Sequence, residues 1–370
     1  MLQCFDSLVA LSPKATVWEA LMQYEKHPES AILLVNLGSP DAPTAIAVRR
    51  YLAEFLWDKR VVDLPRWLWW PILHGIILRV RPSRSAAAYR KVWTEKGSPL
   101  IAITKQQAAA LTKKFTNDNG LSIHYAMRYG NPSIGSALDE IMVAGHRNLL
   151  IFPLYPQYSR VTVASVRDKV DEQLNLRQHN LTVDYVEPYY DEPAYINILA
   201  NAIRHFQLQY EKPEQLIFSY HGIPKRFVDK GDVYYEHCKQ TTLMTAKQLG
   251  LADNEYVMTF QSQFGFEKWL TPYTDQTLKE LARNGVKIVH ILSPAFSADC
   301  LETLEELEVE NREYFETTGS ENNEKVEGRI YRYIPALNDS EQHIKLFETL
   351  IRKQLKIDNG RTKYDQYLSS

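Results

Sequence analysis

The chain is poor in cysteine. Of its 370 residues only three are Cys (Cys4, Cys238 and Cys300), and no two share a CxxC spacing. That disfavours a disulfide framework, a structural zinc site and a cysteine-held iron–sulfur cluster. Long apolar runs are also missing. The best candidate, Trp67–Leu78 (WLWWPILHGIIL), is interrupted by Pro71, His74 and Gly75 and falls well short of the ~20 residues that cross a bilayer. Neither charge dominates: Lys and Arg total 43, Asp and Glu 45, net −2, which speaks against a general nucleic-acid coat and leaves open only a local basic patch. No P-loop is present, no GxGxxG follows a strand-like run, and GxSxG and HExxH are absent, which weakens kinase, dehydrogenase, hydrolase and zinc-protease readings. The first thirty residues lack a basic n-region, contain no Arg and carry Glu19, Glu25 and Glu29. That pattern speaks against a secretory signal or a transit peptide. It reads as a loosely attached extension, in which Val17–Tyr24 has the spacing of a short amphipathic helix.

What is present is a regular alternation. Short apolar runs suited to strands occur at Ala31–Leu37, Ser122–Met127, Asn148–Phe152, Thr182–Val186, Gln215–Tyr220, Glu255–Phe260, Lys287–Leu292 and Arg329–Ile334. Helical patterns lie between them, as at Ile101–Phe115, Ile134–Ala144, Pro193–Gln209 and Thr274–Asn284, and a last one covers Ser340–Lys356. This order predicts an α/β fold with parallel sheets flanked by helices, and eight strands over this length fit two sheets better than one. Aromatic residues are abundant (22 Tyr, 13 Phe, 7 Trp), and Trp67, Trp69 and Trp70 fall within four positions, flanked by Arg66, Arg79, Arg81 and Arg84. A buried helix is one reading of that segment. An interfacial segment, with Trp at headgroup level and Arg beside anionic lipid, is the other.

Ligands of parallel α/β sheets bind beyond the carboxyl ends of the strands, so the residues following each run matter most. They are Gly38-Ser39-Pro40, Arg128-Tyr129, a segment with Tyr155, Tyr158 and Arg160, then His221-Gly222-Ile223-Pro224, and finally SPAFSADCLETLEELEVE from Ser293. His221 ends a strand and is turned at once by Gly and Pro. It is placed either as a proton acceptor, since imidazole titrates near neutrality, or as a loop-bonding histidine. At about 100° per residue, Asp299, Glu302, Glu306, Glu310 and Glu313 share one helix face. No lysine is interspersed before Lys325, although like charges at i,i+4 repel. The plain reading is a solvated acidic face; the functional one is a track for a divalent cation or for protons.

Taken together, VNLGSPDAP (Val35–Pro43), LYPQYS (Leu154–Ser159), SYHGIP (Ser219–Pro224), GDVYYEHC (Gly231–Cys238), FQSQFGFEKWLTPYT (Phe260–Thr274) and FSADCLETLEEL (Phe296–Leu307), in this order, resemble the ferrochelatase family, closest to its bacterial, protoporphyrin-type members. The resemblance covers about residues 31–356. It implies two similar Rossmann-like domains, each a parallel sheet flanked by helices, with a porphyrin cleft between them. The parts are an extension (1–30), a first domain (31–160) with a hydrophobic lip (64–84), a second domain (161–336) carrying His221 and the acidic helix, a helix packing back on the fold (337–357) and a tail (358–370). It implies insertion of Fe²⁺ into protoporphyrin IX, the last step of haem synthesis. His221 and Glu302 are then the catalytic and metal-handling residues, and Asp299, Glu306 and Glu310 a proton or metal relay. Leu37, Tyr89, Ser98, Arg128, Tyr129, Tyr155 and Trp269 line the cleft, with Arg128 a candidate partner for a porphyrin propionate, and Trp67, Trp69 and Trp70 form a lip that meets the membrane. Iron and porphyrin are substrates, and no tightly bound cofactor is expected. Many eukaryotic members have a histidine at the position of Cys300, so a second imidazole is not available here. The sequence has no Cys after Cys300, and Arg160 stands where animal members have a cluster cysteine, so no [2Fe–2S] cluster is expected. Expected partners are these small molecules, a peripheral membrane contact and a transient contact with the preceding enzyme of haem synthesis, but no nucleic acid. The location would be cytoplasmic, at the inner membrane. Two rivals stay open on the residues alone: a chelatase for coproporphyrin or cobalt, and a porphyrin carrier without turnover.

Overall fold

Ala31–Val35 is an unbroken apolar run in which no residue has any exposed surface, the mark of a central parallel strand covered on both faces. Leu216, Ile217, Phe218 and Tyr220 repeat the pattern later in the chain. In a computed structural model of the protein, the described residues are 30–356 apart from 117, 119, 120, 179, 180, 266 and 321–323. Cys4, the Val17–Tyr24 segment and the tail from 358 lie outside them. Eight strands form two sheets of four. β1 (Ser30–Ser39), β2 (Leu121–Gly130), β3 (Asn148–Pro153) and β4 (Thr182–Tyr185) stand in the order β2-β1-β3-β4; β5 (Gln215–His221), β6 (Tyr256–Gln261), β7 (Ile288–Leu292) and β8 (Ile330–Tyr333) stand in the order β6-β5-β7-β8. All pairings are parallel, so the two halves share one topology. In each, the chain steps to one side of the central strand and then crosses to the other. The switch point therefore opens at the carboxyl ends of β1 and β5, where Ser39 and His221 are the last strand residues.

The expected division after residue 160 does not coincide with the sheets. The helix Val163–Arg177 and β4 complete the first sheet, because β4 pairs with β3 from Asn148↔Thr182 onward. A β-α unit is the smallest piece that covers a parallel edge, so the first half ends only after β4. The last helix, Glu341–Leu355, returns to the first half. Its Ile344, Phe347, Leu350 and Ile351 share a core with Ile32, Leu34 and Phe152, and Phe347 meets Phe152 edge-on at 4.9 Å.

The Trp-rich segment is helical throughout but irregular: Arg66–Ile72 is α, Leu73–Ile77 is π, and Leu78–Val92 is α again. Trp67 is 79% and Trp70 57% exposed, whereas Trp69 is 5% exposed. Trp69 is therefore no part of a lipid-facing lip. Residues two positions apart on a helix lie on nearly opposite faces, and residues three apart on the same side, so Trp69 turns inward when Trp67 and Trp70 share the outside. It packs with Leu56 and Leu73, and its indole N–H donates to the Leu56 carbonyl at 2.7 Å. Trp69→Ala should lower the unfolding free energy by about 3–5 kcal/mol, and Trp67→Ala should stay within about 0.5 kcal/mol of the parent. Urea midpoints measured side by side separate the two.

Candidate active site

His221 closes β5 because the next residue cannot be anything but small. A Cβ on Gly222 would lie 2.9 Å from the Gln261 carbonyl oxygen and 3.1 Å from the Trp269 ring. This close approach lets the Gly222 N–H donate to the Gln261 carbonyl at 2.8 Å. The His221 Nδ1 lies 2.7 Å from the Gly222 carbonyl oxygen. A carbonyl only accepts, so Nδ1 carries the hydrogen and the neutral ring presents the lone pair of Nε2. The sequence pattern left this histidine between two roles; the tautomer it is held in is the one a proton acceptor needs.

The acidic helix differs from its expected form. Glu302–Glu310 is a π-helix, followed by an α-helix over Asn311–Thr317. With i→i+5 hydrogen bonds its turn is wider than 3.6 residues, so residues four apart run almost straight along it. Glu302, Glu306 and Glu310 thus form a line, tighter than the drifting stripe an α-helix would give. Glu313, on the next helix, is exposed. Asp299 has another task. Its Oδ1 accepts from the Tyr333 hydroxyl (2.6 Å), the Thr303 hydroxyl (2.9 Å) and the Ala336 N–H (3.3 Å), and its Oδ2 from the Asn338 amide (2.7 Å). With both oxygens engaged, it bolts the start of the π-helix to the segment after β8, and its geometry does not fit a relay. Glu305, between the relay positions, is buried and paired with Lys91 at 2.8 Å.

Glu306 is the most perturbed member of the line. Burial pushes its carboxyl up to about 7, against the lowering effect of hydrogen bonds from Ser262 and with the further push of Glu302 and Glu310. Burial likewise raises Glu310, with Glu305 adding to it. Across from the helix, the first half contributes tyrosines. Glu302 acts electrostatically on Tyr51, Tyr89 and Tyr155, all raised by burial first, and on Arg81, whose guanidinium is lowered by burial. Leu37 packs against Cys300, Ala298 and Leu100, and Leu301 packs into the cluster that holds Tyr51, Tyr89 and Tyr129. The acidic helix therefore begins where the two halves meet.

The ferrochelatase family model matches residues 29–355. Among curated relatives, Ferrochelatase 2 of Shewanella oneidensis is 50% identical over 325 residues, spanning 88% of this chain and 97% of the relative. The ferrochelatase of Vibrio parahaemolyticus is 44% identical over 327 residues, 88% of this chain and 98% of its own. The chain belongs to the ferrochelatase family. Among solved structures, SirB from Bacillus subtilis with Fe³⁺ aligns at a TM-score of 0.50 over 88% of this chain and 95% of its own; at 11% identity the likeness is one of fold.

Of the cleft positions carried over from ferrochelatases, Leu37, Tyr89, Tyr155 and Trp269 stand at this junction or beside His221, and Ser98 is buried at the start of the helix Pro99–Lys114. Arg128 and Tyr129 are spent internally. The Arg128 Nη2 pairs with Asp58 at 2.5 Å and its Nε donates to the Ser165 hydroxyl at 2.7 Å, while the Tyr129 hydroxyl donates to Asp58 at 2.7 Å. This knot pins the start of the lip to the first sheet and makes Arg128 a poor propionate partner. The structure adds residues that motif matching passed over. Arg81 stacks on Phe264 at 4.5 Å and has no carboxylate within ion-pair distance among the described residues. Tyr51 and Gln261 also reach the site. Arg81 left a trace in the sequence as one of the arginines flanking the Trp run and Gln261 as the second residue of FQSQFGFEKWLTPYT, whereas Tyr51 left none. Among the described residues, no three His, Cys, Asp or Glu side chains converge as a metal-holding group.

The raised Glu306 carboxyl has a consequence for stability. A carboxyl whose folded pKa is about 7, above an ordinary 4.5, binds more protons folded than unfolded, so it weakens the fold as pH rises between those values. Glu306→Gln removes that penalty. Relative to the parent, it should gain up to about 3 kcal/mol between pH 5 and pH 8, read from urea midpoints at the two pH values.

Proposed function

We propose that His221 and the Glu302–Glu306 line, both borne by the second half at its junction with the first, carry the iron insertion into protoporphyrin that ferrochelatases perform. The observation that supports this most is the His221 tautomer, which leaves Nε2 free to accept a proton. Metallation must remove two pyrrole protons and bring Fe²⁺ out of water. In a flat macrocycle the nitrogen lone pairs lie in the ring plane. A grip by Tyr89, Tyr155, Leu37 and Trp269 that tilts a pyrrole would expose them, the strain being offset by binding of the rest of the ring. Among the described residues the buried Tyr155 hydroxyl has no hydrogen-bond partner, which fits a group that faces substrate.

In this reading His221 Nε2 takes a pyrrole proton, Glu302 meets the incoming cation or the second proton, and Glu306 and Glu310 pass protons along the line. Glu306, held near 7, changes charge at neutral pH for little energy, which is what a relay requires. Arg81, with no internal carboxylate, is the cation best placed for a propionate. Iron and porphyrin are substrates here, and no cluster or resident cofactor enters the scheme.

Anaerobic insertion of Fe²⁺ into protoporphyrin IX is the direct test. His221→Ala should lower kcat by about 10²–10⁴-fold with the fold retained, and Glu302→Gln should lower kcat more than it raises the porphyrin KM. A folded His221→Ala enzyme with near-normal turnover would remove the proton-acceptor role.

The lip supports a second element of the reading, a peripheral contact with the inner membrane surface. No helix among the described residues is long and apolar enough to cross a membrane. Trp67, Trp70, Ile76 and Val80 are all more than half exposed on one segment, and Arg79 and Arg84 beside them are exposed too, the arrangement of an interfacial helix. A porphyrin dissolved in lipid is met there, and a transient contact with the enzyme that makes it would use the same cytoplasmic face. Replacing Trp67 and Trp70 by Ser should abolish co-sedimentation with anionic phosphatidylglycerol vesicles; unchanged binding counts against the contact.

A further inference from the structure

Four residues with side chains have a left-handed backbone among those described: Gln178, Ser262, Asn338 and Lys356. Gln178 and Lys356 are helix C-caps, where that conformation is ordinary, and Asn tolerates it. Ser262, at φ +66, has neither excuse. Strain of this kind persists where the surroundings impose it, often beside a functional group.

Ser262 follows the last residue of β6, and its conformation turns both of its donors onto one carboxylate. The Ser262 N–H donates to Glu306 Oε1 at 2.7 Å, and its hydroxyl donates to Glu306 Oε2. The preceding residue completes a bridge. The Gln261 side-chain amide donates to the Glu302 carbonyl at 3.0 Å, its side-chain oxygen accepts from Ser219 on β5 at 2.7 Å, and its main-chain carbonyl accepts from Gly222. Residues 261 and 262 thus join the strand end that bears His221 to the first turn of the acidic helix.

We propose that Ser262 is a positioning residue for iron insertion: its strained backbone aims N–H and O–H at the two oxygens of Glu306 and so holds that carboxylate in line between Glu302 and Glu310. The proposal rests on the relay reading of Glu306. The hydroxyl is the essential part, because a glycine at 262 would keep the N–H contact and relieve the strain. Thr is a poor substitute, since a β-branched side chain resists positive φ. Asn is the conservative one, with an amide that can donate. The groups facing Glu306 are Glu302 and Glu310 on its own helix, Ser262 from the end of β6 and Tyr331 of β8. The hydroxyl favours the ionised form, so its removal moves the Glu306 ionisation upward from about 7.

The test is Ser262→Ala, Ser262→Gly and Ser262→Asn, each in the parent and in a Glu306→Gln background, assayed for anaerobic Fe²⁺ insertion into protoporphyrin IX. Circular dichroism and thermal melting monitor the fold. A hydrogen bond to a charged group predicts a loss of about tenfold in kcat for Ser262→Ala, with the porphyrin KM little changed and the acid limb of the kcat–pH profile moved to higher pH. Ser262→Gly should lose as much turnover while melting no lower than the parent, Ser262→Asn should recover part of it, and none should cost anything further once Glu306 is Gln. A Ser262→Gly enzyme with parental kcat would show that only the turn matters and overturn the proposal, as would an equal loss from Ser262→Ala in the Glu306→Gln background. Should Glu306→Gln itself turn over normally, the relay reading falls and takes the proposal with it. A defective Glu306→Gln beside a normal Ser262→Ala overturns the positioning role alone.

Discussion

Glu306 sits partly out of water with a carboxylate four residues away on each side along the same line, and the bonds from residue 262 are what make that arrangement tolerable. A row of acids would spread into solvent if nothing held it, because each neighbour raises the energy of the next. Here the π-helix draws the row straight, Asp299 bolts its start to Tyr333 and Asn338, Lys91 takes up the charge of Glu305, and the end of β6 grips the middle. Remove the grip and the line has no reason to keep its shape. The second half of the molecule can be understood as scaffolding for this one row and for the histidine at the β5 end that residues 261 and 262 join to it.

The first half solves a different problem. It must present aromatic walls without letting them collapse onto each other. Tyr129 is held by Asp58, Arg128 and Ser165 and lies edge-on to Phe55 at 5.0 Å, so the wall has a rigid back. Trp69, Leu73 and Leu78 root the lip in the cluster that holds Tyr129. Its ties to the second half are Arg81 over Phe264 and, just before the lip, Asp63 with Arg226 at 3.1 Å and Lys230 at 3.3 Å. Such half-exposed pairs contribute little to stability.

Much of this was legible beforehand. All eight strands follow from apolar runs of strand length, and their alternation with helices leads to two parallel sheets. His221 stands out because Gly and Pro force a turn immediately after a strand. Other features were not legible, for identifiable reasons. Whether three tryptophans in four positions face out together depends on helix rotation, and rotation sent Trp69 inward. The boundary after residue 160 does not follow the sheets because β4, a short strand that begins only at Thr182, still pairs with β3, and pairing between strands is not a local property. Arg128 looked free, since nothing in the local sequence announces Asp58, seventy positions away.

By itself the sequence determined which side chains are available and in what order: an imidazole at a strand end, acids at four-residue spacing, an apolar lip flanked by arginines. Those are local properties, decided by spacing and by the chemistry of each residue. Only the tertiary structure decided which of them are free to react. Asp299 and Glu306 belong to the same acidic run, yet one is consumed by four hydrogen bonds and the other is poised near neutrality. The difference lies in what β6, β8 and the segment after β8 bring against them, contacts between residues far apart in the chain that no spacing rule contains.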